Sequence, residues 1–455
     1  MKTLTMMLAA ASLLPAQQSA PPAEMTVAQA VEAALKNYPS IRVTQEQLNA
    51  AAAGIRLAQT AYLPRVDGLV QVNRASRNTF YGLLLSQSII PSVAGVKGDN
   101  FGTVFDSGAG VLVAWQPFDF GLRRANVATA EAGRDQAQAA LNRTRYEVSV
   151  AAADAFLTVL AARQTAEAAR AAVDSWQILQ RSIHALVNAQ LRPGADESRI
   201  AAELALAQTQ VAQAEAAIDV ARANLSEFVG TDPAQMNLNP GRLMEVPPDL
   251  PEAPFDGTGN PVEKEQTAAI AQQQRRLDAL GRTYYPQFLL QGLASGRGSG
   301  LETDGTRLGG LNGLVPTVPN YGVGFTVTFS AMDRFAIHEQ QAIQSANIRA
   351  QEAQYQTIAT RLRAQFNIAL ATLNGARKVA ANTPVAVSSA RTAVEQATAR
   401  YQSGLAPIDD LAQARRLLVQ AQIDDALARL NVWRARLQVA TARGDIQPFL
   451  NEAGQ

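Results

Sequence analysis

The sequence predicts a mainly α protein with a small β part, built as a duplicated unit of long antiparallel coiled-coil helical hairpins carrying four β-strands. Three observations predict it. Hydrophobic residues fill 47% of the 455 positions but aromatics only 6%. Ala alone is roughly a fifth of the chain, so the apolar mass consists of small side chains that favour long, closely packed helices over a thick core. Second, LRPGADESR from Leu191 and LAPIDDLAQ from Leu405 share Leu, Pro and Asp at one offset of 214 positions. That offset also aligns Trp115, Asp119, Leu141 and Val148 with Phe329, Asp333, Tyr355 and Leu362, and Leu204, Ile218 and Leu225 with Leu418, Val432 and Val439. Third, two runs of roughly 68 residues, from Asp119 and from Asp333, are almost free of loop signals; as helices each would reach about 100 Å.

At the N-terminus, residues 1–20 carry Lys2, an apolar run from Leu4 to Leu14 and small residues at Ser19 and Ala20, the outline of a secretory signal with cleavage after Ala16 or Ala20. No later stretch is long and apolar enough for a transmembrane helix, so an exported chain that meets a membrane must enter it by β-strands. The first repeat, 21–230, opens with a helix over 26–61 closed by Pro64. A β-hairpin over 66–118 follows, with strands at 66–73 and 109–118 around a Gly-, Ser- and Asn-rich loop at 76–108. A long helix 119–187, a turn 188–195 and a helix 196–230 complete the repeat.

Seven prolines mark residues 231–262 as the connector. The second repeat, 263–446, has a β-hairpin at 287–332, a long helix 333–401, a turn 402–408 and a helix 409–444, with a tail at 447–455. Its second strand is the clearest in the chain. Tyr321, Val323, Phe325, Val327 and Phe329 alternate with Gly322, Gly324, Thr326, Thr328 and Ser330, giving one apolar and one small or polar face. Its partner strand spans 287–295, and the loop between covers 296–320. Tyr62-Leu63-Pro64 matches Tyr284-Tyr285-Pro286 at an offset of 222, so the β parts differ by eight residues in length.

The returning helix of the first repeat keeps Leu204, Val211, Ile218 and Leu225 at sevenfold spacing, a coiled-coil seam; its copy has Asp425 where Val211 stands. Pro384, opposite Arg170 in the alignment, is expected to kink the second long helix near Asn382.

Composition and motifs argue against chemistry. Charge is balanced, 40 Lys+Arg against 39 Asp+Glu, with no basic tract for nucleic acid. Zero Cys excludes disulfides, thiol catalysis, Cys-ligated metals and lipidation at an N-terminal Cys. His184 and His338 are isolated on helices and read as solvated residues, and no metal site or cofactor is expected. GRGSG at 296–300 lacks the Lys-Ser/Thr of a phosphate loop and reads as hairpin loop; no nucleophile elbow is present.

Four strands cannot close a barrel, and strands in lipid can leave no free edge, so closure requires several chains. At this point the residues resemble the TolC-like outer-membrane efflux proteins. The resemblance rests on MTVAQAVEAALKNYPSIRV, the helix ending AYLPRV, the junction WQPFDFGLRR, the turn LRPGADESR and its copy YQSGLAPIDDLAQARRLLVQAQ. It implies a homotrimer with a twelve-stranded β-barrel in the outer membrane of a Gram-negative-type cell. It also implies an α-helical periplasmic tunnel, and a tip meeting a periplasmic adaptor and an inner-membrane pump: the exit duct of a tripartite efflux or type I secretion system. The competing reading is an exported coiled-coil scaffold without a pore, which would need no alternating strand like 321–329.

Asp196 and Asp410 stand at equivalent places after Pro193 and Pro407, where carboxylates stabilise a helix start. If three chains converge there, these residues form rings that favour cations. The resemblance assigns Asp196, Asp410 and Tyr401 to a tip gate. Where the family's gate can carry an Arg this chain has Ala406, with Arg192 in the other copy as the available substitute. Gly404-Leu405 matches the family's adaptor-facing pair, while Gln190-Leu191 replaces it at the first turn; Leu191, Gly404 and Leu405 are the expected docking residues.

Overall fold

The structure, a computed structural model, describes residues 24–75, 102–249, 254–302 and 306–454. The expected signal segment and most of the first hairpin loop lie outside them. Eight α-helices and four strands occur among the described residues: α1 (Val27–Asn37), α2 (Pro39–Thr60), β1 (Arg65–Ala75), β2 (Val104–Trp115), α3 (Leu122–Asn188), α4 (Gly194–Val229), α5 (Pro261–Arg282), β3 (Gln287–Ser299), β4 (Val318–Thr328), α6 (Asp333–Gln402), α7 (Ile408–Arg443) and α8 (Gln447–Gly454).

The repeat is visible in these bounds. The helices α4 and α7 have 36 residues each, and Gly194 and Ile408, where they start, stand 214 positions apart. Likewise α2 and α5 have 22 residues each, with Pro39 and Pro261 at the 222 offset. Each returning helix follows a proline and carries acids in its first turn, Asp196 and Glu197 in α4, Asp409 and Asp410 in α7, and each ends at a left-handed glycine, Gly230 and Gly444.

The described chain forms two compact units. One takes in 44–141 and 263–358; the other takes in residues up to 43, 142–262 and 359 onward. The first contains the sheet, an antiparallel meander in the order β1-β2-β3-β4. Its register aligns Val66, Val113, Gly292 and Val323 across the four strands, and Trp115, Leu290 and Phe325 in the next row of the same face. This face is apolar and open: Val70 is 79% exposed, Val323 82% and Tyr321 92%. The other face carries Gln71, Asn73, Gln291, Asn320, Thr326 and Thr328. At the end of the strands Phe120 stacks on Tyr285 at 5.0 Å and touches Phe118 edge-on at 4.7 Å.

The second unit holds most of the buried apolar residues. Trp433, 1% exposed, donates its indole N–H to the Glu245 carbonyl at 2.8 Å and meets Phe449 of α8 edge-on. Asn260, 1% exposed, donates to the Ala442 carbonyl at 3.2 Å, tying the connector to α7.

Several boundaries differ from those read in the sequence. Residues 296–299, expected in a loop, extend β3: Gly298 pairs with Ser107 and Gly296 with both Ala109 and Pro319. Similarly β2 begins at Val104 and β4 at Val318, because small and polar residues fill strand positions whose ladder bonds do not depend on side chains. The helix expected over 26–61 is two helices. Tyr38 is extended (φ −70°, ψ 122°), the conformation that a following proline imposes. Asp119 lies before α3, not within it; its carboxylate accepts the backbone N–H groups of Gly121 (3.1 Å) and Arg123 (2.7 Å), and it caps the helix. The expected tail is largely helix α8, with Phe449, Leu450 and Ala453 buried. The connector forms short 3-10 turns and gives way to α5 at Pro261. Pro384 lies inside α6, whose helical span runs to Gln402. Among the described residues no helix is long and apolar enough to cross a membrane.

Candidate functional site

Of the residues singled out at the turns, Asp196, Tyr401 and Arg192 are in contact with one another. The helix α3 ends with the Leu191 N–H bonded to the Leu186 carbonyl and the Gln190 N–H to that of Val187; α6 ends with Leu405 bonded to Arg400 and Gly404 to Tyr401. These are the same motif 214 positions apart, and in both the residue before the Leu is left-handed, φ +76° at Gly404 and +59° at Gln190. Glycine adopts that conformation freely, whereas glutamine is strained there by about 1 kcal/mol. The replacement of Gly-Leu by Gln-Leu therefore leaves the turn geometry unchanged. Leu191 and Leu405 stand 69% and 73% exposed.

Tyr401 is 2% exposed and packs in a core with Trp176 and Ile183 of α3, Ile200 and Leu204 of α4, and Leu411 of α7. Its hydroxyl donates to Asp196 Oδ2 at 2.8 Å. A hydrogen bond to an ionised acceptor contributes roughly 1.5–3 kcal/mol. Burial first, then the bond to and the charge of Asp196, push the phenol up to about 12, against the opposing charge of Arg192. The Arg192 guanidinium lies 4.4 Å from the Tyr401 ring centroid and donates to the Tyr401 carbonyl.

Ala406 is buried. Arg192 stands at the equivalent position of the first hairpin and contacts Tyr401. Asp410 is exposed, unlike half-buried Asp196.

Four more polar links join the hairpins beside this cluster. Arg199 lies 3.3 Å from Asp409, Arg416 lies 3.6 Å from Glu203, and Arg415 donates to the Ser175 carbonyl at 3.2 Å and to its hydroxyl. Glu203 is 7% exposed and also lies 3.7 Å from Arg199 of its own helix. Sequence reasoning missed these residues. Their signal was available as positions where one copy is charged and the other is not: Arg415 against Ala201, Arg416 against Ala202, Glu203 against Leu417.

His184 is exposed and held by Glu197 at 2.6 Å and Asn188 at 3.0 Å; His338 is exposed and lies 3.2 Å from Glu339. Among the described residues no group of three or more His, Asp or Glu is placed to hold a metal ion.

The sequence matches the outer membrane efflux protein family over residues 30–231 and 262–445. It is similar to Protein CyaE of Bordetella pertussis, 28% identical over 232 residues that take in 49% of this chain and 44% of that protein, so the match spans less than half of the relative's length. Among solved structures, the outer membrane protein VceC of Vibrio cholerae has the same fold (TM-score 0.71, 16% identity, 92% of this chain and 96% of that one). So does the open state of the MtrE outer membrane channel of Neisseria gonorrhoeae (TM-score 0.69, 16% identity, 93% and 89%). With both repeats matched, the chain belongs to the outer membrane efflux protein family, as the TolC-like resemblance implied.

Proposed function

We propose that this chain is the exit duct of a tripartite efflux or type I secretion system, a passive conduit from a pump and its periplasmic adaptor to the exterior. The observation that carries the reading is the incomplete sheet. Its edge strands β1 and β4 have no partner within the chain among the described residues, and on one face both edge strands expose apolar side chains, Val66, Val70 and Val72 on β1 and Tyr321, Val323, Phe325 and Val327 on β4. An apolar face suits lipid and a polar one suits a water-filled lumen, while unpaired edges in lipid cost several kcal/mol per group. Three copies, each giving four strands, close a barrel of twelve; the aromatic cluster of Phe118, Phe120 and Tyr285 suits the membrane-water boundary. The two repeats, 21–230 and 263–446, each contribute a helical hairpin to the periplasmic tunnel.

Asp196, Tyr401 and Asp410 form the gate at the tunnel tip. The Tyr401–Asp196 hydrogen bond and the Arg192 clasp hold the two hairpins of a chain together, and exposed Asp410 from three chains supplies a ring that attracts cations. Leu191, Gly404 and Leu405, exposed at the turns, are the adaptor's docking points. Fractionation and crosslinking test the duct: it is recovered from outer membranes as a crosslinkable trimer, and recovery as a soluble monomer from the periplasm would refute it.

A further inference from the structure

The motif GRGSG at 296–300 closes β3, with Gly300 just past its last residue. Gly298 pairs with Ser107 and Ser107 with Val72, so Gly296 and Gly298 lie on the apolar face that Val66, Val113 and Val323 define. The chain beyond folds back across them. The Leu308 N–H donates to the Gly300 carbonyl at 3.0 Å, that of Gly300 to the Phe105 carbonyl at 2.9 Å, and that of Thr317 to the Arg297 carbonyl at 3.0 Å. The crossing leaves no room for side chains beneath it. A Cβ on Gly298 would overlap the Val315 carbonyl oxygen, one on Gly300 would come within 2.8 Å of the Asn312 carbonyl oxygen, and one on Gly296 would lie 3.1 Å from Pro316. Gly313 turns the crossing at φ +89°, where a Cβ would overlap the Phe105 carbonyl oxygen.

This crossing lies at the end of the sheet away from the helices, because β1 follows α2 and β2 leads into α3. Down the apolar face, β2 presents Trp115, Val113 and Val111, then only Ala109 and Ser107; β3 ends in Gly296 and Gly298. From Trp115 to Ser107, about 3.4 Å per residue and a tilt near 40° give roughly 21 Å along the membrane normal, inside a lipid-facing band about 25 Å tall. The central strands therefore run short of apolar side chains before the band ends, and bare backbone there would set peptide groups against acyl chains. Residues 308–317 cover that gap. Ser107 is 1% exposed beneath them, while Leu311 and Val315 stand 70% and 66% exposed.

We propose that residues 308–317 form a strap, seated on the glycines of β3, that gives the outer end of the lipid-facing band the apolar side chains its central strands lack. Its partner is the acyl-chain region of the bilayer, continuous with the surface of Val70, Val72 and Tyr321 on the same face. This rests on the duct reading, in which that face meets lipid.

The chain has no cysteine, so a single substitution carries a nitroxide label to one site. In full-length protein in vesicles of phosphatidylethanolamine and phosphatidylglycerol, collisions with molecular oxygen, which concentrates among acyl chains, are compared with collisions with a water-soluble nickel chelate. Oxygen should prevail severalfold at Val323→Cys, in the middle of the face, and also at Leu311→Cys. With oxygen prevailing at Val323, a Leu311 label that meets mainly nickel would place the strap in water, and one that neither reagent reaches would place it under protein; either overturns the proposal. Nickel prevailing at Val323 would refute the duct reading and the strap together. Gly298→Val added to Leu311→Cys should lift the strap and raise nickel collisions at Leu311 severalfold, and unchanged collisions would overturn the glycine seat. Should Gly298→Val fail to insert, the comparison of Leu311 with Val323 decides alone.

Discussion

The two helical hairpins began as the same unit and are no longer interchangeable. Across the cluster at the turns every polar link joins residues that are not equivalents: Tyr401 bonds Asp196, but the counterpart of Tyr401 is Val187; Arg192 clasps Tyr401, but its own counterpart is Ala406. Arg415 and Arg416 of the second hairpin reach Ser175 and Glu203 of the first, from positions where the first has Ala201 and Ala202. A repeat that folded back on an identical copy would place like beside like. Divergence has made one hairpin the complement of the other, and the proposed gate lies in that complementarity.

The largest test of this asymmetry is functional. Leu405→Glu or Gly404→Trp should abolish export in a strain lacking its own duct while trimers still form, since the strands belong to the other unit and the seam residues are untouched. Leu191→Glu, at the turn with Gln in place of Gly, should reduce export less. Equal losses would erase the distinction between the turns; full export by the Leu405 and Gly404 variants would remove docking from the second.

The two returning helices also differ in what they bury. Trp433→Ala removes a fully buried side chain and should cost about 3–5 kcal/mol in denaturant unfolding, whereas Asp219→Ala at the exposed equivalent should change stability by less than about 0.5 kcal/mol. A smaller effect separates the turns themselves. Gly404→Ala should cost about 1 kcal/mol, and Gln190→Gly should gain about 0.5–1 kcal/mol, because both positions are left-handed and only one has the residue suited to it. Melting temperatures of the two trimers moving in the same direction would contradict that account.

The smallest effect is in pH. Tyr401 holds its proton up to about 12, above the ordinary tyrosine value of 10, so the stability its hydroxyl bond contributes is complete below pH 10 and is lost as pH rises through 12. Ultraviolet titration of wild type against Tyr401→Phe should reveal one phenol ionising in that window; a phenol already ionised by pH 10 would contradict both its burial and its bond to Asp196.

The repeat was legible because helix bounds follow backbone signals that duplication preserves. Prolines at 39, 193, 261 and 407 and glycines at 230 and 444 stand at element ends in both copies. Strand ends were less legible. Gly296, Gly298 and Ser107 look like loop residues, yet hydrogen bonding across three strands holds them in the sheet.

The proposed gate was legible only in its members. That Tyr401 and Asp196 touch, 205 positions apart, depends on how the hairpins pack, and no local pattern encodes it. Arg192 was visible as a misplaced arginine, but its stacking on Tyr401 became clear only with both turns in view.

The central claim is that a link within each chain, between its two unlike hairpins, keeps the tunnel tip closed. Tyr401→Phe tests it most directly, since it deletes one oxygen and leaves the buried ring and the Arg192 contact in place. Single-channel recordings of the purified trimer should show conductance rising severalfold over wild type. An intact Tyr401→Phe trimer that conducts no better than wild type would contradict the claim.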